Sequence, residues 1–124
     1  MADASLEIAE EILGYAEEEL RRSIKTGDML LYRNAVDRAF LSLIVAVNSY
    51  INGRLGLTPK SHSERRSLLR KMDKEDLRAI YSDVMRTLHE EAFYMGVYNP
   101  EEVEYPIKQI KKISRARYCF FFFR

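Results

Sequence analysis

Apolar residues recur every three or four positions along most of the chain, a spacing that gathers them on one face of an α-helix. The first such segment covers about residues 5–25. Its apolar positions are Leu6, Ala9, Leu13, Ala16, Leu20 and Ile24. The second segment covers about residues 29–52 and is apolar nearly all round, as expected of a helix that neighbours surround. We predict that it forms the centre of a helical bundle, with Asp28 as its N-cap.

Two more helices are predicted from capping residues that precede apolar stripes. Ser61, followed by Glu64 three residues later, is a capping-box pattern that starts a short helix ending near Met72. Asp73 is placed to cap the next helix, which covers about residues 74–95. The apolar stripe of that helix consists of Leu77, Ile80, Tyr81, Val84, Leu88, Ala92 and Met95.

A fifth helix is predicted after Asn99 and Pro100, an N-cap followed by the residue favoured at the first helical position. Its apolar face is made of Val103, Ile107, Ile110 and Ile113. Pro106 is expected to kink it, because proline removes one backbone donor. Short breaks between the segments predict an all-α fold, an up-and-down antiparallel bundle of four to five helices that forms one domain over residues 1–124.

The second helix carries a polar face within its apolar surroundings. Asn34, Asp37 and Asn48 share this face, because separations of 3 and 11 residues are close to whole helical turns. Polar groups at such positions need hydrogen-bonding partners. We expect this face to meet an arginine, water or another subunit.

Composition and cysteine usage indicate a folded protein of a reducing compartment. The chain has 124 residues, 47% of them hydrophobic and 31% charged, a balance typical of one folded domain. The single cysteine, Cys119, cannot form an intramolecular disulfide, and no basic and apolar leader follows Met1, so a cytoplasmic location is expected. The longest uncharged stretch, residues 39–53, is too short and too polar for a membrane span.

Basic residues concentrate in the later part of the chain. Residues 1–52 hold 5 basic and 9 acidic residues, a net charge of −4, whereas residues 53–124 hold 15 and 10, a net charge of +5. Four basic residues form a stripe along the fifth helix: Lys108, Lys111, Lys112 and Arg115. This basic stripe is a candidate binding surface for RNA or a nucleotide; it lacks interleaved aromatic residues and equally fits a solvated face.

The best candidate for chemistry is the pair Arg86 and His89 on the fourth helix. Three residues of spacing put both side chains on one side of an α-helix. Histidine exchanges protons near neutral pH and arginine binds phosphate, so the pair fits RNA cleavage without a metal. His89 would act as general acid or base and Arg86 as phosphate clamp. The alternative is a surface ion network.

Other candidate sites are weaker. We interpret His62 as an exposed residue of a first helical turn, with contact to a phosphate as the alternative. Two distant histidines and one cysteine show no metal-ligand spacing, so no metal site is expected. The glycine-rich motifs of nucleotide hydrolases and dinucleotide-binding proteins are missing, as is the serine-hydrolase motif, and no cofactor is expected.

The C-terminal tail, residues 118–124, contains four consecutive phenylalanines, Phe120 to Phe123. Exposed to water, they would promote aggregation, so they are expected to pack against an apolar surface. Docking on the chain's own bundle and burial against a second subunit are both open. A membrane-surface anchor is a third interpretation.

Four short segments, in this order along the chain, resemble those of a known family. They are Lys25-Thr26-Gly27-Asp28, Leu31-Tyr32-Arg33-Asn34-Ala35-Val36-Asp37-Arg38-Ala39, Thr58-Pro59-Lys60-Ser61-His62 and Leu88-His89-Glu90-Glu91-Ala92-Phe93-Tyr94-Met95-Gly96. Together they resemble the HEPN superfamily of small helical bundles and, within it, the archaeal PaREP-type proteins. The likeness spans about residues 5–114, so the C-terminal tail lies outside it.

The resemblance implies a bundle of four or five helices that forms a homodimer. Many members are metal-independent endoribonucleases of toxin–antitoxin or defence systems, and others are inactive partners of nucleotidyltransferases. Active members use an arginine and a histidine a few positions apart, often with two such sites meeting across the dimer. Arg86 and His89 match these residue types, but with Thr87 and Leu88 alone between them they are closer than the family pattern.

Two functions are therefore expected. The first is a dimeric interaction module that binds a protein partner, RNA or a nucleotide, favoured by the short spacing of Arg86 and His89 and by the phenylalanine tail. The alternative is a metal-independent endoribonuclease that uses Arg86 and His89.

Overall fold

The computed structural model describes residues 4–115, and these form an all-α bundle, as predicted. Its helices are α1 (Ala4–Thr26), α2 (Met29–Leu55), α3 (His62–Lys71), α4 (Glu75–Val84), a π-helix that continues α4 (Met85–Tyr94) and α5 (Pro100–Arg115). The described range contains no strand. None of its helices is long and apolar enough to cross a bilayer. The C-terminal tail predicted to pack lies outside the described residues.

Helix α2 lies at the centre of the bundle and contacts α1, α3, the π-helix and α5. Its buried residues include Tyr32, Phe40, Leu43, Val47 and Tyr50, as its nearly all-round apolar sequence predicts. The buried hydroxyl of Ser42 donates to the Ala9 carbonyl oxygen of α1 at 2.7 Å. In α1, Leu6, Ala9, Leu13 and Ala16 are buried as predicted, whereas Ile24 is 44% exposed, because it lines an open cleft between α1 and α5.

Side-chain caps fix the beginnings of three helices, as the sequence predicts. The Asp28 carboxylate accepts from the Leu31 N–H at 3.0 Å, and the Ser61 hydroxyl accepts from the Glu64 N–H at 3.0 Å. Asn99 caps α5 by accepting from the Glu102 N–H at 3.2 Å. Each cap satisfies a backbone donor that the first helical turn leaves free.

The N-cap predicted at Asp73 is wrong. Asp73 has a left-handed backbone conformation, with φ of 64°, and Lys74 occupies the N-cap position of α4 without a side-chain cap. An N-cap residue needs an extended conformation to direct its side chain at the free N–H groups, so Asp73 cannot act as one here. Its backbone N–H instead donates to the Arg70 carbonyl oxygen and closes the turn after α3.

The π-helix differs from the single α-helix predicted over residues 74–95. In a π-helix each N–H donates to the carbonyl five residues earlier; such segments are rare and occur frequently at functional sites. At its end, the Met95 N–H donates to the Glu90 carbonyl oxygen at 2.9 Å. Leu88 and Ala92 are buried as predicted, but Met95 is 68% exposed, because the wider turn rotates it away from the core.

The end of the π-helix is held by Arg33 of α2. The Arg33 Nε donates to the Phe93 carbonyl oxygen at 2.7 Å, and its Nη2 donates to that of Tyr94 at 3.0 Å. Gly96 follows with φ of 76°, a left-handed turn residue that lies against the Arg33 guanidinium. Arg33 therefore satisfies carbonyls that the helix end leaves without intrahelical partners.

We expect Arg33→Met to lower the free energy of unfolding by about 1–2 kcal/mol, because two carbonyls lose a charged donor. Equilibrium urea unfolding measures the change. Arg22→Met, which removes an exposed arginine of α1, is the matched control and should cost about 0.5 kcal/mol or less. Equal, small effects of the two substitutions would contradict the capping role.

Candidate functional site

A cleft of about 370 Å³ opens beside the polar face of α2, between α2, α3 and the π-helix. Its lining residues are Asn34, Asp37, Arg38, Phe40, Leu41, Ile44, His62, His89 and Phe93. Both histidines of the chain lie in this cleft, with their ring centroids 5.8 Å apart. Two imidazoles, a carboxylate and a guanidinium thus converge on one concave surface, the arrangement expected of a binding or catalytic site.

His89 is held by Asp37 of α2. The His89 Nδ1 lies 2.7 Å from the Asp37 Oδ1, and both side chains are about one-third exposed. A carboxylate only accepts hydrogen bonds, so Nδ1 carries the hydrogen and donates it. In the neutral ring Nε2 then has a free lone pair, which makes Nε2 the nitrogen able to accept a proton from a ligand.

A hydrogen-bond network of Tyr81, Arg65 and Asn48 holds the ring of His62. Its Nδ1 lies 2.6 Å from the hydroxyl of Tyr81 and 3.4 Å from the Arg65 Nη1. The same Arg65 nitrogen donates to the Tyr81 hydroxyl at 3.3 Å, and the Arg65 Nε donates to the Asn48 Oδ1 at 2.8 Å. Arg65 and Tyr81 are both buried, so this network fixes the His62 ring from behind.

Phenylalanine rings pack against both histidines. The ring of Phe40, which is buried in α2, lies 5.4 Å from that of His89 and 5.5 Å from that of His62. The Phe93 ring stacks on His89 at 5.9 Å, with 11° between the planes. These contacts restrict both imidazoles, which leaves less motion to be lost when a ligand binds.

The electrostatic surroundings of the cleft favour the uncharged form of His62. Burial, the first cause, and the nearby cations Arg65 and Arg66 lower the pKa of His62 below its usual 6.5. Burial likewise raises the pKa of Tyr81 above 10, so its hydroxyl keeps its hydrogen at neutral pH. At neutral pH both shifts favour a neutral imidazole at His62 that faces a protonated phenol at Tyr81.

The predicted pair Arg86 and His89 is not brought together. Arg86 pairs with Asp83 at 2.7 Å, is 63% exposed and is not among the residues that line the cleft. The physical reason is the π-helix, which holds both residues. A step of three residues rotates the side chain about the helix axis by about 300° in an α-helix but by about 245° in a π-helix. The directions of the two side chains therefore differ by about 115° around the axis instead of about 60°.

The predicted polar face of α2 does reach partners in the bundle. Asn48 meets an arginine, Arg65, which was one of the expected partners. Asp37 meets His89, and Asn34 lines the cleft one turn away. The interpretation of His62 as an exposed first-turn residue is wrong, because α3 packs its first turn against α4 and half-buries the ring.

Three of the four residues of the basic stripe pair with carboxylates. Lys111 lies 2.8 Å from Glu17 of α1, Arg115 lies 3.7 Å from Glu10 of α1, and Lys108 lies 3.8 Å from Glu104. Lys112 is exposed. The stripe therefore serves partly to hold α5 against the acidic face of α1, and it lies apart from the cleft that contains the histidines.

Sequence reasoning missed Tyr81, Arg65 and Phe40 as parts of the site. Tyr81 belongs to the apolar stripe predicted for the fourth helix, and Phe40 lies within the segment predicted to be apolar nearly all round. A phenol that is fully buried needs a hydrogen-bonding partner, and a histidine at the start of α3 is one candidate. That requirement is the one signal in the sequence that could have linked Tyr81 to His62.

The described part of the chain contains no group of three or more His, Cys, Asp or Glu side chains arranged to hold a metal ion. Comparisons with protein-family models, with curated proteins and with solved structures find no match to this chain. The resemblance to the HEPN superfamily stays a prediction.

Proposed function

We propose that this protein cleaves RNA by general acid–base catalysis in the cleft, with His89 as the residue that moves the proton. The observation that carries the proposal is the Asp37–His89 contact of 2.7 Å, in a cleft that holds a second imidazole. A carboxylate on Nδ1 orients the ring and stabilises the imidazolium that forms when Nε2 takes a proton. This arrangement allows His89 to take the proton of a weakly acidic hydroxyl group.

The reaction consists of two proton transfers at His89. Nε2 takes the proton of a ribose 2′-hydroxyl while the 2′-oxygen attacks the adjacent phosphorus. The bond from phosphorus to the 5′-oxygen of the next nucleotide then breaks, and the imidazolium returns the proton to that leaving oxygen. The products are a 2′,3′-cyclic phosphate and a 5′-hydroxyl, with no net gain or loss of protons. No other reactant is needed.

A cation and the size of the cleft suit a nucleotide. Arg38 lines the cleft, is 43% exposed and pairs with Glu19 of α1 at 3.2 Å. Its guanidinium is always charged and fits the oxygens of a phosphodiester. A volume of about 370 Å³ lies within the usual range of small-molecule sites and accommodates a nucleotide unit.

The experiment that tests this proposal varies the substrate. We expect the purified protein, in EDTA, to cleave a DNA oligonucleotide that contains a single ribonucleotide, and to cleave it only after that residue. Oligonucleotides with 2′-deoxyribose or 2′-O-methylribose at the same position should stay intact, because neither has a hydroxyl to attack the phosphorus. Mass spectrometry should find a 2′,3′-cyclic phosphate on the 5′ fragment.

Cleavage of the all-deoxy oligonucleotide, or a product with a 5′-phosphate, would contradict the proposed reaction. A 5′-phosphate requires attack by water from the other side of the phosphorus and leaves no role for the ribose hydroxyl. The three oligonucleotides are otherwise identical, so a difference among them reports only the 2′-substituent.

The second candidate function is the dimeric interaction module. The observation that favours it is the apolar rim of the cleft, where Leu41 is 46% exposed and Ile44 is partly buried. Exposed apolar side chains around a polar cleft are typical of a surface that a partner covers. A chain that leaves all three oligonucleotides intact would favour this candidate over the ribonuclease.

A further inference from the structure

We propose that His62 is an uncharged hydrogen-bond donor that binds an anionic phosphoryl oxygen through its Nε2–H. This assignment rests on the proposed function, because it takes the phosphodiester of RNA as the ligand of the cleft. It gives the two imidazoles different tasks. His89 changes its charge during the reaction, and His62 keeps the same hydrogen throughout.

The hydrogen-bond partners of His62 determine which of its nitrogens carries the hydrogen. Tyr81 is fully buried, and its hydroxyl hydrogen needs an acceptor. Arg65 has only donors to offer, so the His62 Nδ1 at 2.6 Å is the acceptor that accounts for this hydrogen. The Arg65 Nη1 also directs a donor towards Nδ1, at 3.4 Å. A ring whose Nδ1 accepts must carry its hydrogen on Nε2.

Protonation of His62 would break this network. A hydrogen on Nδ1 would face the Tyr81 hydroxyl and the Arg65 guanidinium, both of which already act as donors there. The charged and titratable groups around the ring, from every element packed near it, are Arg65 and Arg66 of α3, Tyr81 of α4, His89 and Glu90 of the π-helix, and Asp37 and Arg38 of α2. Most of the charge close to the ring is positive, which opposes a further positive charge.

A neutral hydrogen-bond donor at His62 would stabilise the reaction at the neighbouring His89. Negative charge develops on the phosphoryl oxygens when the 2′-oxygen attacks, and a donor fixed in advance stabilises that charge without rearrangement. An imidazolium at His62 would bring a second positive charge to within 5.8 Å, between ring centroids, of the imidazolium that forms at His89. The Tyr81–Arg65–Asn48 chain avoids this repulsion, because it holds His62 neutral.

Nuclear magnetic resonance of the histidine ring nitrogens tests the assignment without any cleavage. In the wild type we expect His62 to carry its hydrogen on Nε2 at pH 7, and its titration midpoint to lie below 6.5. Saturation with a 2′-deoxy dinucleoside monophosphate, which cannot be cleaved, should move the His62 Nε2–H proton resonance downfield. A hydrogen on Nδ1, a midpoint at or above 6.5, or a resonance that the dinucleotide leaves unmoved would overturn the proposal.

Two variants distinguish the effect of the Tyr81 hydroxyl on His62 from general effects of a tyrosine substitution on folding. Tyr81→Phe removes only the hydroxyl, so we expect a mixture of both tautomers of His62 and an affinity for the dinucleotide that is weaker by about 3- to 10-fold. Tyr15→Phe, at an exposed tyrosine of α1, is the matched control and should change neither. Should Tyr81→Phe fail to fold, Arg65→Lys tests the same chain and should give the same two changes, because lysine lacks the planar fork whose separate nitrogens, Nε and Nη1, reach Asn48 and Tyr81.

The resonance measurements and the cleavage assay can refute the two proposals separately. An intact ribose oligonucleotide together with the expected tautomer and dinucleotide response would refute RNA cleavage and still support His62 as a phosphodiester donor. Cleavage at the ribose with a His62 hydrogen on Nδ1 would support the proposed function and overturn this assignment.

Discussion

His89→Ala is expected to lower the rate of cleavage at a ribose by about 10²- to 10⁴-fold, the usual scale of a lost general acid–base residue. The reason is that the Nε2 of His89 supplies both proton transfers. The fold should survive, because His89 is about one-third exposed and the buried residues around it remain. Initial rates on the single-ribose oligonucleotide measure the loss, and added imidazole should restore part of the rate.

Asp37→Asn tests whether the carboxylate of Asp37, on α2, fixes the hydrogen of His89 on Nδ1. An amide can donate to Nδ1 as well as accept from it, so the ring can turn its hydrogen onto Nε2 and lose the lone pair that takes the proton. We expect a rate loss of about 10²- to 10⁴-fold. Asp83→Asn is the matched control, because it removes an exposed carboxylate that pairs with Arg86, and it should leave the rate unchanged. Equal rates for Asp37→Asn and the wild type would contradict the role of Asp37.

Phe40→Ala is expected to lower the free energy of unfolding by about 3–5 kcal/mol, the usual cost of deleting a buried phenylalanine. Phe40 is 1% exposed, and its ring lies between 5.4 and 5.7 Å from the rings of His62, Tyr81 and His89. The substitution therefore leaves a cavity directly beneath the cleft. Urea or thermal unfolding measures the loss.

The neighbouring residue supplies the control for Phe40. Leu41→Ala changes the next position of α2, where the side chain is 46% exposed, and should cost about 1 kcal/mol or less. A similarly small cost for Phe40→Ala would show that its ring does not support the cleft. The pair separates the burial of a side chain from a general effect of alanine on α2.

Much of this fold follows from the sequence, because each helix carries its own signal. The stripes of α1 and α5 and the all-round apolar character of α2 are local patterns that tertiary packing reinforces. The caps at Asp28, Ser61 and Asn99 are also local, and all three are confirmed. The Asp73 cap failed because a capping side chain and a left-handed backbone are alternatives, and the sequence does not show which one the turn adopts.

The site is less accessible to such reasoning because long-range packing creates it. Asp37 and His89 are separated by 52 positions, and their contact depends on the register of α2 against the π-helix. The polar face of α2 was predictable, and so was an arginine as one of its partners, but the contact of Asp37 with His89 was not. The predicted partnership of Arg86 with His89 assumed α-helical rotation, and that assumption fails where the backbone hydrogen bonds shift from four to five residues.

The position of His62 also depends on long-range packing that the local sequence does not show. Its position at the start of α3 is typical of an exposed residue, and that is how the sequence is read. In the bundle, Tyr81 of α4 and Asn48 of α2, the latter through Arg65, hold the first turn of α3 over the cleft. A short helix of ten residues has little burial of its own, so its neighbours decide where its side chains lie.

The most direct test compares the wild type, His89→Ala and Arg86→Ala, purified identically, on the single-ribose oligonucleotide in EDTA. The site described above predicts cleavage after the ribose by the wild type and by Arg86→Ala at similar rates, and none above background by His89→Ala. Equal cleavage by all three would reveal a contaminating nuclease, and loss of activity in Arg86→Ala would place the arginine in the reaction. The first result would contradict catalysis by the Asp37–His89 pair in this cleft, and the second would contradict the placement of Arg86 outside it.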